Sequence, residues 1–112
     1  MGHLADTPEP PYVAVVFTAE QSDDVEGYHE MATRMEALAA RQPGYLGFES
    51  AGEGTEISVS YWTDQQAARR WKHVAEHLEA QRLGHHRWYR TYRVRIATVE
   101  RDYGPDTAAF DT

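Results

Sequence analysis

The stretch from Tyr12 to Thr18 constrains the fold more than any other, because it is apolar at every position but the last. As an extended strand it presents Val13, Val15 and Phe17 on one face and Tyr12, Ala14 and Val16 on the other. Such a strand needs cover on both sides. A chain of 112 residues has material for one core and one domain. Whatever layer that core supplies, the second face of this strand has to be covered from elsewhere.

Further along, Tyr28, Met31, Met35 and Leu38 recur at steps of three, four and three, the spacing of an amphipathic helix. Pro43 and Gly44 end it near Gln42. Tyr45 to Ser50 reads as a second strand, Gly52 to Gly54 as a turn, and Ile57 to Trp62 as a third strand. In that third strand Ile57, Val59 and Tyr61 alternate with Ser58, Ser60 and Trp62. Thr63 is a good N-cap for a second helix carrying Ala67, Ala68, Trp71, Val74, Ala75 and Leu78 up to Gly84, with a kink near His73. Trp88 to Tyr103 closes the chain as a long strand, with Tyr92, Val94 and Ile96 on one face and Ala97 and Val99 on the other. That switch of apolar face predicts a bulge or a change of neighbours midway.

The order β-α-β-β-α-β is that of an α+β, ferredoxin-like sandwich. Its two helices cover one face of the sheet, so the two-faced first strand predicts a homodimer in which identical sheets pack about a twofold axis. Residues 1–11 and 104–112 hold prolines and few apolar side chains, and read as arms flanking a domain over 12–103.

Composition removes several partners. Eighteen acidic residues against eleven basic ones give a net charge of -7, which repels a phosphate backbone, so no nucleic acid is expected. The arginines that crowd the last third, Arg90, Arg93 and Arg95 among them, suit the solvated face of a strand. The longest apolar run, Val13 to Phe17, is far short of the roughly 20 residues of a membrane helix. With no cysteine and no signal-like start, a cytoplasmic address is expected. No phosphate-binding glycine loop occurs, Lys72 is the sole lysine, and no serine sits in a nucleophile elbow.

Pro43-Gly44-Tyr45-Leu46-Gly47-Phe48-Glu49, Ser60-Tyr61-Trp62, Trp71 with His77, Ala80, Gln81 and Gly84, and Trp88-Tyr89 with Tyr92 together resemble the antibiotic biosynthesis monooxygenase superfamily. The likeness covers Tyr12 to Tyr103. It implies a dimeric α+β barrel with a pocket between helices and sheet in each monomer. The fold hosts several chemistries. In the cofactor-independent branch, aromatic and hydroxyl side chains bind a polycyclic phenol or hydroquinone whose own carbanion reacts with oxygen. No metal or flavin is then required, only orientation, a proton acceptor and a dry site. Trp62, Trp71, Trp88, Tyr89, Tyr92, His73 and His77 are the residues that the resemblance points to, His77 and Trp71 as catalytic and the rest as substrate-binding. The heme-degrading branch asks for a strand asparagine, and this chain has no asparagine. Heme bound by His77 or His73 in another register is the second reading, and a non-enzymatic dimer binding a small aromatic molecule is the third.

His73-Val74-Ala75-Glu76-His77 also matches the H-x-x-E-H pattern of inverted zinc proteases. A chain this short has no second helix to spare for the remaining ligand and cleft, so the pattern implies at most adventitious metal binding, with His85 or His86 joining. His77 falls one position from Leu78, at the margin of the helix's apolar stripe, where a side chain that titrates near neutrality meets the edge of a pocket.

Overall fold

A computed structural model describes residues 4–82 and 88–105, so the proposed helix end at Gly84 and both His85 and His86 lie outside the described residues. The elements run β1 (Tyr12–Gln21), α1 (Tyr28–Ala39), β2 (Tyr45–Ala51), β3 (Thr55–Trp62), α2 (Gln65–Arg82) and β4 (Tyr89–Val99). The sheet has the order β2-β3-β1-β4, with every neighbouring pair antiparallel. This is the ferredoxin-like α+β arrangement expected from the element order.

Both helices lie on one face. Val13, Val15 and Trp62 of the sheet pack with Met35, Leu38 and Ala39 of α1 and with Ala67, Ala68, Trp71, Val74 and Ala75 of α2. Directly paired residues of antiparallel strands project to the same side, so the register identifies the rest of this face. Val15, Phe17 and Ala19 align with Ser60, Ser58 and Glu56 of β3 and with Ile96, Val94 and Tyr92 of β4. In β3 it is therefore the Ser58, Ser60, Trp62 set that looks toward the helices, while Ile57, Val59 and Tyr61 occupy the outer face.

The two-faced first strand is only partly satisfied within one chain. Tyr12, Val13, Ala14 and Ala19 are buried, but Val15 through Thr18 are half-buried. The N-terminal arm covers one end of the outer face. Ala5 N–H donates to Glu49 Oε2 at 2.8 Å, and Ala5 lies over Gly47, where an added Cβ would come within 2.5 Å of the Ala5 Cβ. Tyr61 donates to Glu49 Oε1 at 2.7 Å, and its ring meets that of Tyr12 edge-on at 5.8 Å. Thr7 Oγ1 donates to the Tyr12 hydroxyl oxygen at 3.0 Å, and the Tyr12 hydroxyl donates to Asp102.

Three local expectations change. The cap of α2 is Asp64, whose Oδ1 accepts from the Ala67 N–H at 2.8 Å. Thr63 instead closes the loop before β2: its N–H donates to the Gly44 carbonyl, and its side chain and that of Ala67 crowd Gly44, which adopts φ 85°. Second, α2 runs through His73 as a continuous helix. Third, the pairing of β4 with β1 is unbroken from Thr91 to Val99, and the register shifts only between Glu20 and Gln21, opposite Tyr89 to Thr91. Along β4 the helix side carries Tyr92, Val94 and Ile96, and the outer side carries Arg93 and Arg95 followed by Ala97 and Val99, with no bulge between them.

Candidate functional site

The helix-facing side of the sheet is filled by two clusters and uncovered along the edge strand β4. In the first cluster Trp62 is fully buried and stacks on Trp71, their centroids 5.7 Å apart at 22°, while Tyr45 meets Trp62 edge-on. The Trp62 indole N–H donates to Ser60 Oγ at 2.8 Å, so its polar atom is satisfied inside the core. These contacts follow from the sequence pattern: Trp62 is in phase with the strand's inward set, and Trp71 is one helical turn from Ala67 and Ala68 on the inward stripe.

A second cluster forms where α1 begins. Trp88 is buried with Tyr28 and Met31, and its indole N–H donates to the Glu26 carbonyl at 2.9 Å. Met35 packs against both clusters and joins them. Tyr89, half-buried, stands 6.0 Å from Tyr28 and 5.3 Å from Phe17, and Phe17 lies 5.5 Å from Tyr92. Phe17, Tyr89 and Tyr92 thus form an aromatic floor on the helix-facing side of β1 and β4.

That floor continues into uncovered surface. Tyr92 is 47% exposed, Val94 44% and Ile96 46%, although all three project from the side on which the helices pack. Single exposed apolar residues are ordinary, but three in line on the face that carries the core are a contiguous patch.

The sequence-derived residues therefore fall in three places. Trp62 and Trp71 come together in the core, and Trp88, Tyr89 and Tyr92 come together around Phe17 and Tyr28. His73 and His77 are exposed on α2, one turn apart. Among the described residues no group of three or more His, Cys, Asp or Glu side chains is placed to hold a metal ion.

Two residues of this face are not among the site residues that the sequence singled out, Ser58 and Glu56. Both are half-buried, and Glu56 is a carboxylic acid on the core side of β3, aligned with the buried Ala19. Burial pushes its carboxyl above the usual carboxylate range. Its signal was there to read: Glu56 is in phase with Ser58, Ser60 and Trp62.

On the outer face, burial and the hydrogen bond to Glu49 push the Tyr61 phenol well above the usual tyrosine range, and burial with the Asp102 hydrogen bond raises that of Tyr12. Arg93 and Arg95 also project there, paired with Thr18 and Val16, and are exposed. The described part of β4 thus divides its chemistry: aromatic and aliphatic toward the helices, cationic away from them.

Comparison with known proteins agrees with this architecture. The family model for antibiotic biosynthesis monooxygenase matches residues 11–83. The chain is 48% identical over 103 residues to the uncharacterized protein YqjZ of Bacillus subtilis (strain 168), covering 90% of each. A variant of SnoaB, a cofactor-independent oxygenase from Streptomyces nogalater, superposes with a TM-score of 0.69 at 20% identity, over 85% of this chain and 98% of that one. A Nitrosomonas europaea protein of unknown function superposes with a TM-score of 0.68 at 11% identity, over 89% of this chain and 100% of that one. Among the described residues no helix is long and apolar enough to cross a membrane. With the family match spanning β1 through α2 and the fold completed by β4, the chain belongs to the antibiotic biosynthesis monooxygenase family.

Proposed function

We propose that the protein is a monooxygenase that oxidises a polycyclic phenolic substrate with dioxygen, using no metal or flavin of its own, and works as a cytoplasmic homodimer. The observation that carries this reading is the floor of Phe17, Tyr89 and Tyr92 running into the exposed Val94 and Ile96 on the helix-facing side. A flat, apolar, aromatic-lined surface beside a packed core suits a fused-ring ligand, whose edges meet aromatic faces at the distances that favour such pairs. SnoaB, similar in fold, is a cofactor-independent oxygenase, which is in keeping with this reading.

In this scheme the substrate supplies the electrons. Loss of a proton gives a phenolate whose ring carbon acts as a carbanion toward dioxygen; for an anthrone, the ring CH2 becomes a carbonyl and one oxygen atom leaves as water. The protein orients the ring and accepts the proton. The acceptor on the solvent side is assigned to His77, which is exposed on α2 six residues after Trp71. Trp71 and Trp62 form the wall behind the ligand, Trp88 backs Tyr89, and His73 lies one turn before His77.

The test is oxygen uptake with a panel of anthrones and naphthols. Wild type consumes oxygen with at least one of them. His77→Ala lowers the rate by about a hundredfold, the low end for removal of a general base, and His73→Ala lowers it less. Equal uptake in wild type and His77→Ala removes His77 from the mechanism. Saturable binding without uptake leaves the protein a binder, and a sharp Soret band on titration with hemin redirects the function to heme.

A further inference from the structure

Glu56 is the one acidic group that the described sheet turns toward the helices. Its row on that face is Glu56, Ala19, Tyr92: β3, β1 and β4 side by side. Ala19, in the middle, is 1% exposed and has only a methyl group to offer. The longer side chains on either side therefore share the space above it, with neighbouring strands about 4.8 Å apart. The next row is Ser58, Phe17, Val94, which places the aromatic floor diagonally adjacent to Glu56.

Glu56 Oε1 is buried, and among the described residues it has no hydrogen-bond partner. A buried carboxyl oxygen without a partner is costly, and natural folds keep such an atom chiefly where something else is meant to meet it. The floor beside this row carries phenols: Tyr92 stands in the row itself, and Tyr89, in ring contact with Tyr92, also meets Tyr28 of α1. The strand's nearest cations, Arg93 and Arg95, project from the opposite face of the sheet, and Arg90 pairs with Asp23.

We propose that Glu56 is a proton acceptor for the ligand, its carboxylate taking the hydroxyl proton of a phenol seated on Phe17, Tyr89 and Tyr92. The ligand's O–H bond breaks, an O–H bond forms on the carboxylate, and the negative charge passes from Glu56 to the phenolate. No oxidant enters this step. The proposal rests on the phenolic reading above and extends it: the substrate presents a hydroxyl at the Glu56 end of the face, apart from any hydroxyl that meets His77. Desolvation, which raises the carboxyl's affinity for a proton, brings it closer to a phenol's and makes the transfer less uphill.

The test combines binding and turnover. Binding of 1-naphthol is followed by quenching of the protein's tryptophan emission, and oxygen uptake with anthrones is followed across pH, in wild type, Glu56→Gln and Glu56→Asp. Glu56→Gln is expected to bind 1-naphthol within about threefold of wild type while losing about a hundredfold in uptake rate, the minimum for a lost general base. Because the base acts ionised, the wild-type rate is lost as pH falls through a pKa above the usual carboxylate range. That acid limb is absent from Glu56→Gln, persists in Glu56→Asp, and persists in His77→Ala. The melting temperature of Glu56→Gln at neutral pH is not below that of wild type, since a buried carboxylate has been replaced by a neutral amide. Uptake by Glu56→Gln within twofold of wild type, or an unchanged acid limb, overturns the role of Glu56 while leaving the phenolic reading intact. Failure of wild type to bind or oxidise any phenol overturns both.

Discussion

Trp71 is a core residue: it is 6% exposed and stacked on the fully buried Trp62. Truncation to alanine removes a large buried ring from an unyielding neighbourhood, so Trp71→Ala is expected to cost about 3 to 5 kcal/mol in a urea melt. A loss below about 1 kcal/mol would make it a pocket wall free to collapse. The histidines are the reverse case. His73 and His77 are exposed on α2, so their replacement is expected to alter rates and leave the melt unchanged. Glu56 stands between these extremes, half-buried, with burial raising its carboxyl above the usual range. Its phase with Ser58, Ser60 and Trp62 was readable, yet a lone glutamate at the start of a strand looks like a solvated end, and the register with Ala19 shows that it faces the helices.

At the scale of elements, the order of strands and helices was legible, since each rests on a local period: alternation in β3, steps of three and four in α1 and α2. Boundaries set by single side-chain hydrogen bonds were not. Thr63 and Asp64 are both good capping residues, and the choice fell to Asp64 because Gly44, held at positive φ, draws Thr63 into the preceding loop. Asp64→Ala should therefore destabilise the protein by about 0.5 to 2 kcal/mol by thermal melt, the range for a lost cap. A larger effect from Thr63→Ala than from Asp64→Ala would reverse that assignment. The face switch in β4 misled for a different reason. A strand at the sheet edge, exposed on both sides, has no single buried face for its pattern to report. The same exposure makes β4 the element most open to a ligand on one side and to a second chain on the other.

For the whole molecule, the outer face is the unfinished surface. Val16 and Val59 are half-buried and Ile57 is 45% exposed on the side that no helix covers. Sedimentation equilibrium at micromolar concentration is expected to give twice the 12.8 kDa chain mass, with each subunit burying more than the roughly 800 Å² of an ordinary interface. A monomer throughout would leave the outer face to solvent and the arm. The outer face has its own pH signature. Folding holds the Tyr61 proton more tightly than the unfolded chain does, so the associated stability is present below the unfolded value of about 10 and is lost as pH rises beyond it. Melting temperatures measured from pH 8 upward should fall more steeply above about pH 10 in wild type than in Tyr61→Phe. Parallel curves would detach Tyr61 from the effect.

The bond from Thr7 to Tyr12, and from Tyr12 to Asp102, ties the segment before β1 to the segment after β4, with Thr7 Oγ1 3.4 Å from Asp102 Oδ2. The backbone is in effect a ring held shut at one point by hydrogen bonds. A covalent splice there, with new ends cut at the exposed Glu53 in the hairpin, would yield a circular permutant reading β3-α2-β4-β1-α1-β2 with the same sheet.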